Sequence, residues 1–225
     1  SCTLTMSDAQ TADCSGGDGS ATFTMADAAA ATADIAIADD AGNSANAVTF
    51  TFGVDDTDPS AAITSDLTWD TDGTVTVTYT ASDGGSGIDD CTLTVAGQTH
   101  DCSAGDGTAD FTIADGSDYT ANIAITDVAG NSGSSNTDTF GIDTTDPSAT
   151  ITSDVVWEND GVVTVTWTAS DATSGIDTCT LTVAGQTHDC ASGDGTADFT
   201  MSDGSGYTAS IAITDAAGNS GSSNT

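Results

Sequence analysis

The side chains with chemistry to offer are almost all carboxylates. The chain has 225 residues, 35 of them Asp or Glu, and no Lys or Arg. Glu158 is the one Glu. Two near-identical acidic stretches hold both prolines: Gly53-Val54-Asp55-Asp56-Thr57-Asp58-Pro59-Ser60 and Gly141-Ile142-Asp143-Thr144-Thr145-Asp146-Pro147-Ser148. Other Asp and Asn residues sit beside glycines in loop-like segments. Asp is short and suits tight loops, and Ca2+ takes six to eight oxygen ligands from carboxylates, amide oxygens and carbonyls. The candidate ligands are therefore Asp55, Asp58, Asp83, Asp106, Asp127 and Asn131, and their counterparts Asp143, Asp146, Asp171, Asp194, Asp215 and Asn219. Ca2+ is the cofactor expected. Asp-Gly and Gly-Asn also form turns without any metal, and an acidic surface can be merely solvated. Both readings stand beside the first.

Catalysis finds little support. No Ser–His–Asp or Cys–His set with distinct roles is visible, and His100 and His188 occupy the same position of a repeated strand. Glycoside chemistry needs two carboxyls in different environments of one cleft. A tandem array multiplies carboxylates instead of singling out a pair. The chain is read as not an enzyme.

The period that places these residues is 88 residues, the step from Asp55 to Asp143. The segment Cys91 to Cys102 recurs letter for letter at Cys179 to Cys190. Asp127-Val128-Ala129-Gly130-Asn131-Ser132 recurs as Asp215-Ala216-Ala217-Gly218-Asn219-Ser220, with a looser copy from Asp39 to Ser44. Fixed self-similarity of this length marks tandem small domains. Residues 58–145 form one whole repeat. Residues 1–57 form a repeat without its opening strands, since Ser1 aligns with Asp90. Residues 146–225 lack the closing strand, since Thr225 aligns with Thr137.

Within the whole repeat, period-2 alternation and turn signals predict seven strands. They fall near 61–66, 74–82, 88–95, 98–102, 108–113, 119–126 and 134–142. Seven short strands with one apolar face each point to an all-β, Ig-like sandwich, repeated in a linear array. The rows Thr74, Thr76, Thr78, Thr80 and Thr164, Thr166, Thr168 read as ordinary outer faces, with an ice- or glycan-binding array as the rival. Folding about Ala96-Gly97 sets Val95 opposite Gln98, Leu93 opposite His100 and Cys91 opposite Cys102. Each cysteine pair (Cys2/Cys14, Cys91/Cys102, Cys179/Cys190) is thus expected as a disulfide within its own repeat. Zinc would need four Cys or His ligands, and each repeat offers at most three. Disulfides imply an extracellular setting.

Strand direction then sorts the loops. Asp58, Asp83, Asp106, Asp127 and Asn131 gather at the pole where the linker enters. Asp66, Asp70, Asp72, Asp115 and Asp118 gather at the other pole, which meets the next linker at Asp143. The net charge of -35 excludes nucleic acid and anionic membranes as plain electrostatic partners. No run of 18 apolar residues offers a membrane span.

Four segments together resemble the bacterial Ig-like tandem repeats of large secreted and cell-surface adhesins. They are the linker at 143–153, the strand at 163–171, Gly-Asp-Gly-Thr-Ala-Asp-Phe-Thr at 193–200 and Ile-Thr-Asp-Ala-Ala-Gly-Asn-Ser at 213–220. The resemblance spans essentially the whole chain. It implies extracellular tandem sandwiches, often stiffened by Ca2+ at the linkers. The chain departs from it in lacking Lys and Arg and in its hairpin cysteines. The expected function is a structural stalk or filament. Its partners are neighbouring repeats of the same chain, with neighbouring chains of a fibre as a second kind. An adhesive or carbohydrate-binding array and accessory modules of a secreted enzyme are the alternatives.

Overall fold

The computed structural model describes residues 1–45, 48–154 and 157–223. Thr225, the last residue of the expected third repeat, lies outside them. The first repeat contributes β1 (Cys2–Met6), β2 (Thr11–Asp13), β3 (Ala28–Ile37) and β4 (Val48–Val54). The second contributes β5 (Ser60–Ile63), β6 (Trp69–Asp70), β7 (Thr74–Ser82), β8 (Ile88–Val95), β9 (Gln98–Asp101), β10 (Gly107–Thr112), β11 (Gly116–Asp127), β12 (Ser132–Ser134) and β13 (Asp138–Ile142). The third contributes β14 (Ser148–Ile151), β15 (Val162–Ser170), β16 (Ile176–Val183), β17 (Gln186–Asp189), β18 (Gly195–Thr200), β19 (Ala209–Asp215) and β20 (Ser220–Ser222). Among the described residues there is no helix.

Residues 58–145 fold as two facing sheets. One has the order β10-β7-β5; the other runs β6-β13-β11-β8-β9, with β12 also on β11. The alternation of β7 explains the arrangement. Val75, Val77, Tyr79 and Ala81 are buried, and the intervening threonines are exposed. Their apolar row meets Leu93 of β8, Ile123 and Ile125 of β11 and Phe140 of β13 in one core. The threonine row is exposed, and Thr76 Oγ1 donates across strands to Asp110 at 2.8 Å. The third repeat repeats the plan with β14-β15-β18 facing β17-β16-β19-β20. The chain is an all-β array: two Ig-like sandwiches, preceded by the single sheet β2-β1-β3-β4 of the first repeat.

Two strands differ from expectation. The first ends at Ile63 instead of running to residue 66, because the amides of Thr64 and Ser65 both turn to the carbonyl of Thr78. The closing strand splits into β12 and β13. Ser135 spans the break: its N–H donates to Ile123 O, and its Oγ accepts from Ile123 N. The short β6 was not legible in the sequence; it pairs in parallel with β13.

The cysteine hairpin has the expected register, Val95 opposite Gln98 and Leu93 opposite His100. Disulfides join Cys2–Cys14, Cys91–Cys102 and Cys179–Cys190. The two central residues of the turn have positive φ, 48° at Ala96 and 81° at Gly97. Glycine takes that conformation freely, but alanine pays roughly 1–2 kcal/mol for it. Asn tolerates it, and Asn-Gly is the favoured pair for such a hairpin. Ala96→Asn should therefore raise the stability of the second repeat by about 0.5–1 kcal/mol. Chemical denaturation of the second repeat would measure it. No gain, or a loss, would contradict this account of the turn.

Candidate functional site: the acidic joints

Each linker brings one carboxylate to the pole of the repeat it enters. Asp55 follows β4, Asp83 follows β7 and Asp127 ends β11. A carboxylate oxygen of each lies within 4.8 Å of the others. Asp143, Asp171 and Asp215 form the same triad one repeat on. Asp127 and Asp215 are 2% exposed and Asp143 is fully buried. No Lys or Arg exists to balance them.

The backbone fixes each member. The Asp83 loop curls over its own side chain: Oδ2 accepts from Gly85 N at 3.0 Å and Gly87 N at 2.7 Å. Asp171 does the same with Thr173 N at 3.1 Å and Gly175 N at 2.7 Å. Asp127 Oδ1 accepts from the amides of Gly130 and Asn131 at 2.7 and 2.8 Å. This tight loop requires φ of 96° at Gly130, which is why glycine stands there. Asp215 repeats the pattern with Gly218 and Asn219. Asp55 Oδ2 accepts from Ser86 N at 2.6 Å, and Asp143 Oδ2 from Ser174 N at 2.9 Å. The Ser86 contact holds the Asp55 carboxyl below the usual carboxylate range. At the first joint the Asp55 carboxyl lies where a Cβ on Gly85 would be; the second joint has Thr173 at the equivalent position.

One oxygen of each triad has no donor. Asp83 Oδ1 and Asp171 Oδ2 are enclosed without a hydrogen-bond partner. A buried acceptor in this state is costly, the more so when it is a carboxylate. The donor set is hard oxygen only, which is what Ca2+ or a similar divalent cation takes. The residues present fit such an ion.

Asn131 and Asn219 also reach the triads, but as donors. Asn131 Nδ2 donates to Asp127 Oδ2 at 2.7 Å and to the linker carbonyl of Asp55 at 3.0 Å. Asn219 Nδ2 does the same to Asp215 Oδ2 and Asp143 O, at 2.9 and 2.8 Å. Each Asn ties the linker backbone to the triad. The other candidates stand apart. Asp106 Oδ1 accepts from Ala81 N at 3.0 Å and Asp194 Oδ1 from Ala169 N at 2.9 Å, so each anchors the start of a strand to its neighbour. Asp58 and Asp146 are exposed, beside the buried prolines Pro59 and Pro147.

The linkers are also held from behind. Asp115 of the second repeat accepts from Thr144 N and Oγ1 and from Thr145 Oγ1, at 3.1, 2.9 and 2.9 Å. Asp143 N donates to Asp70 O at 2.9 Å. At the first joint Asp27 accepts from Asp56 N and Thr57 Oγ1 at 2.8 and 2.5 Å. Each linker is thus bonded to the repeat before it and the repeat after it. Ser86, Ser174 and Asp27 were missed in the sequence. Their recurrence at the repeat spacing, with Asp27 matching Asp115, was the available signal.

His100 Nε2 meets Tyr79 OH at 3.2 Å, and the His188 ring lies 5.4 Å from that of Trp167.

No family model matches the chain, and no curated protein matches it. Solved structures give weak likenesses. The fibronectin(III)-like modules of Clostridium thermocellum CbhA align with a TM-score of 0.40 at 16% identity, over 73% of this chain and 92% of that one. A structure of a 1.5-MDa bacterial ice-binding adhesin aligns at 0.36 and 19%, over 99% and 82%. The FN1–FN3 domains of chicken CNTN1 align at 0.34 and 11%, over 87% and 72%. The sandwich is read from the strand order above and not from them.

The two joints differ in one residue that titrates. Hydrogen bonds from Thr144 and Thr145 hold the Asp115 carboxyl below the usual range. Thr57 does the same for Asp27, whereas side-chain hydrogen bonding to Asp27 and the nearby Asp27 charge push Asp56 above it. A lowered acid contributes stability at neutral pH that is lost as pH falls through its folded value; the raised Asp56 works the other way and favours the joint only on protonation. Carboxyl-carbon NMR titration should place Asp27 and Asp115 below about 3.9 and Asp56 above it. Three coincident midpoints would contradict the hydrogen bonding described.

Proposed function

We propose that the chain is part of an extracellular stalk, a linear array of Ig-like repeats whose joints are locked by Ca2+ held in the acidic triads. The observation that carries this reading is the repetition of the triad with its orphaned oxygen. Asp83 Oδ1 and Asp171 Oδ2 are both left without a donor, one repeat apart. A turn-forming Asp has no need of such an oxygen. A cation would supply the positive charge that the chain itself lacks.

The chain's residues do the rest. Asp55 and Asp143 come from the linker, and Asp83, Asp127, Asp171 and Asp215 from the repeat that follows. Closing the triad therefore fixes the linker on its pole. Asn131 and Asn219 hold the linker carbonyl in place, and Asp27 and Asp115 clamp the linker to the preceding repeat. In the absence of a cation, three carboxylates within 4.8 Å repel and push the linker off. Binding only to the closed joint stabilises it by about 2.7 kcal/mol at a hundredfold excess over Kd. Three disulfides and the all-acidic surface suit a chain outside the cell. With no Lys or Arg, trypsin-like proteases have no cleavage site even in an unfolded repeat.

Small-angle scattering at fixed ionic strength tests the reading. With Ca2+ the maximum dimension should be that of a rod; with chelator it should shrink and its distribution broaden. Asp215→Asn should loosen the second joint alone and Asp127→Asn the first alone. A rod equally straight with and without Ca2+ would mean that the clamps of Asp27 and Asp115 suffice, and the cation reading would fall.

A further inference from the structure

Asp58 and Asp146 are the linker acids that the triads leave out. Each is exposed and stands immediately before a proline, and Pro59 and Pro147 are the two prolines of the chain, one at each joint. The other linker acids are occupied. Asp55 and Asp143 accept from the amide two residues on, Thr57 N at 3.2 Å and Thr145 N at 3.1 Å, as a turn-forming Asp does. For Asp58 and Asp146 the residue two on is already in a strand, Ser60 opposite Ser82 and Ser148 opposite Ser170. Among the described residues no donor reaches either carboxyl. Neither side chain is used to shape its linker.

The residue after each is fixed. Pro59 and Pro147 are buried. The carbonyl of Pro59 lies against Gly133 of β12, and that of Pro147 against Gly221 of β20, so closely that a Cβ on either glycine would overlap it. The Asp-Pro bond is thus the seam between an exposed linker residue and the packed body of a repeat. Its carboxyl is free to turn onto a peptide group that is held still, the condition under which intramolecular attack gains most. Proline also closes a competing route. It has no N–H, so the following nitrogen cannot attack the Asp side chain.

We propose that Asp58-Pro59 and Asp146-Pro147 are acid-triggered self-cleavage sites that part the array at its joints. The neutral Asp carboxyl adds its oxygen to the carbonyl carbon of its own residue. A C–O bond closes a five-membered ring, and the C–N bond to proline breaks with its electron pair left on nitrogen. The carboxyl proton passes to that nitrogen, which leaves as a secondary amine. Water then opens the cyclic anhydride, so Asp becomes a new carboxyl terminus and Pro a new amino terminus. The titratable groups at the first joint are Asp27, Asp55, Asp56, Asp83 and Asp127; at the second they are Asp70, Asp115, Asp143, Asp171 and Asp215. All are carboxyls, so acid brings no new positive charge to either bond. Each disulfide lies within one piece, and nothing covalent spans a cut. Residues 59–146 leave as a complete sandwich. The inference rests on the linker sequence and its exposure and not on the cation reading, and its readout is a covalent mass, so the two fail separately.

The test holds the whole chain at stepped pH values down to about 3, below the usual aspartate value of about 3.9. Circular dichroism follows the strands, and mass spectrometry after denaturation in chelator counts the pieces. Residues 1–58, 59–146 and 147–225 should appear while the strands are intact, with the other Asp-X bonds whole. Asp58→Glu keeps the charge but must close a larger ring. It should slow the first cut roughly a hundredfold and leave the second unchanged, and Asp146→Glu should do the reverse. An uncut folded chain, or cuts that begin only once the strands are lost, would overturn the proposal. So would cuts scattered over Asp-Gly and Asp-Thr bonds, or joint cuts that the two Glu variants leave unchanged.

Discussion

Everything in this chain answers to one constraint: it has 35 acidic side chains and no Lys or Arg. Acidic oxygens must find their partners among backbone amides, hydroxyls and primary amides. The loops are built accordingly. Asp83, Asp127, Asp171 and Asp215 each fold their following backbone around one carboxylate, so that two amides point at it. Asp27 and Asp115 recruit threonine hydroxyls from the linkers. The amides run out at the triads, where one oxygen at each joint stays unserved.

The same constraint shapes the array. A chain of net charge -35 gains nothing from ion pairs between its repeats. Its joints are made instead by the backbone of a five-residue linker bonded on both sides. That arrangement gathers carboxylates where one repeat meets the next.

Much of this was legible in the residues. Alternation in Thr74–Ser82 marks a strand with one dry face, and Ala96-Gly97 fixes a hairpin register that sets the cysteines opposite each other. The loops carrying Asp83 and Asp127 were placed at one pole by strand direction alone. The choice between Asp55 and Asp58 was not legible. The two lie three residues apart, about 10 Å in extended chain, and which one meets the pole depends on how the linker lies on it. Asp106 looked like its neighbours because an Asp before Gly has the same signature whether it caps a strand or faces a cluster; Ala81 N decides between them. Asn131 offers both a donor and an acceptor, and only the nearby Asp127 and Asp55 oxygens select the donor. β6 is two residues long, too short for any periodic signal.

Calorimetric titration of Ca2+ into the fully chelated chain bears most directly on the central claim. Two tight equivalents are expected per chain, one for each triad, with Asp83→Asn and Asp171→Asn each removing one and leaving the other. Weak binding of many ions, unchanged by either substitution and abolished by salt, would mean that the carboxylates are screened as a cloud and that the triads hold nothing.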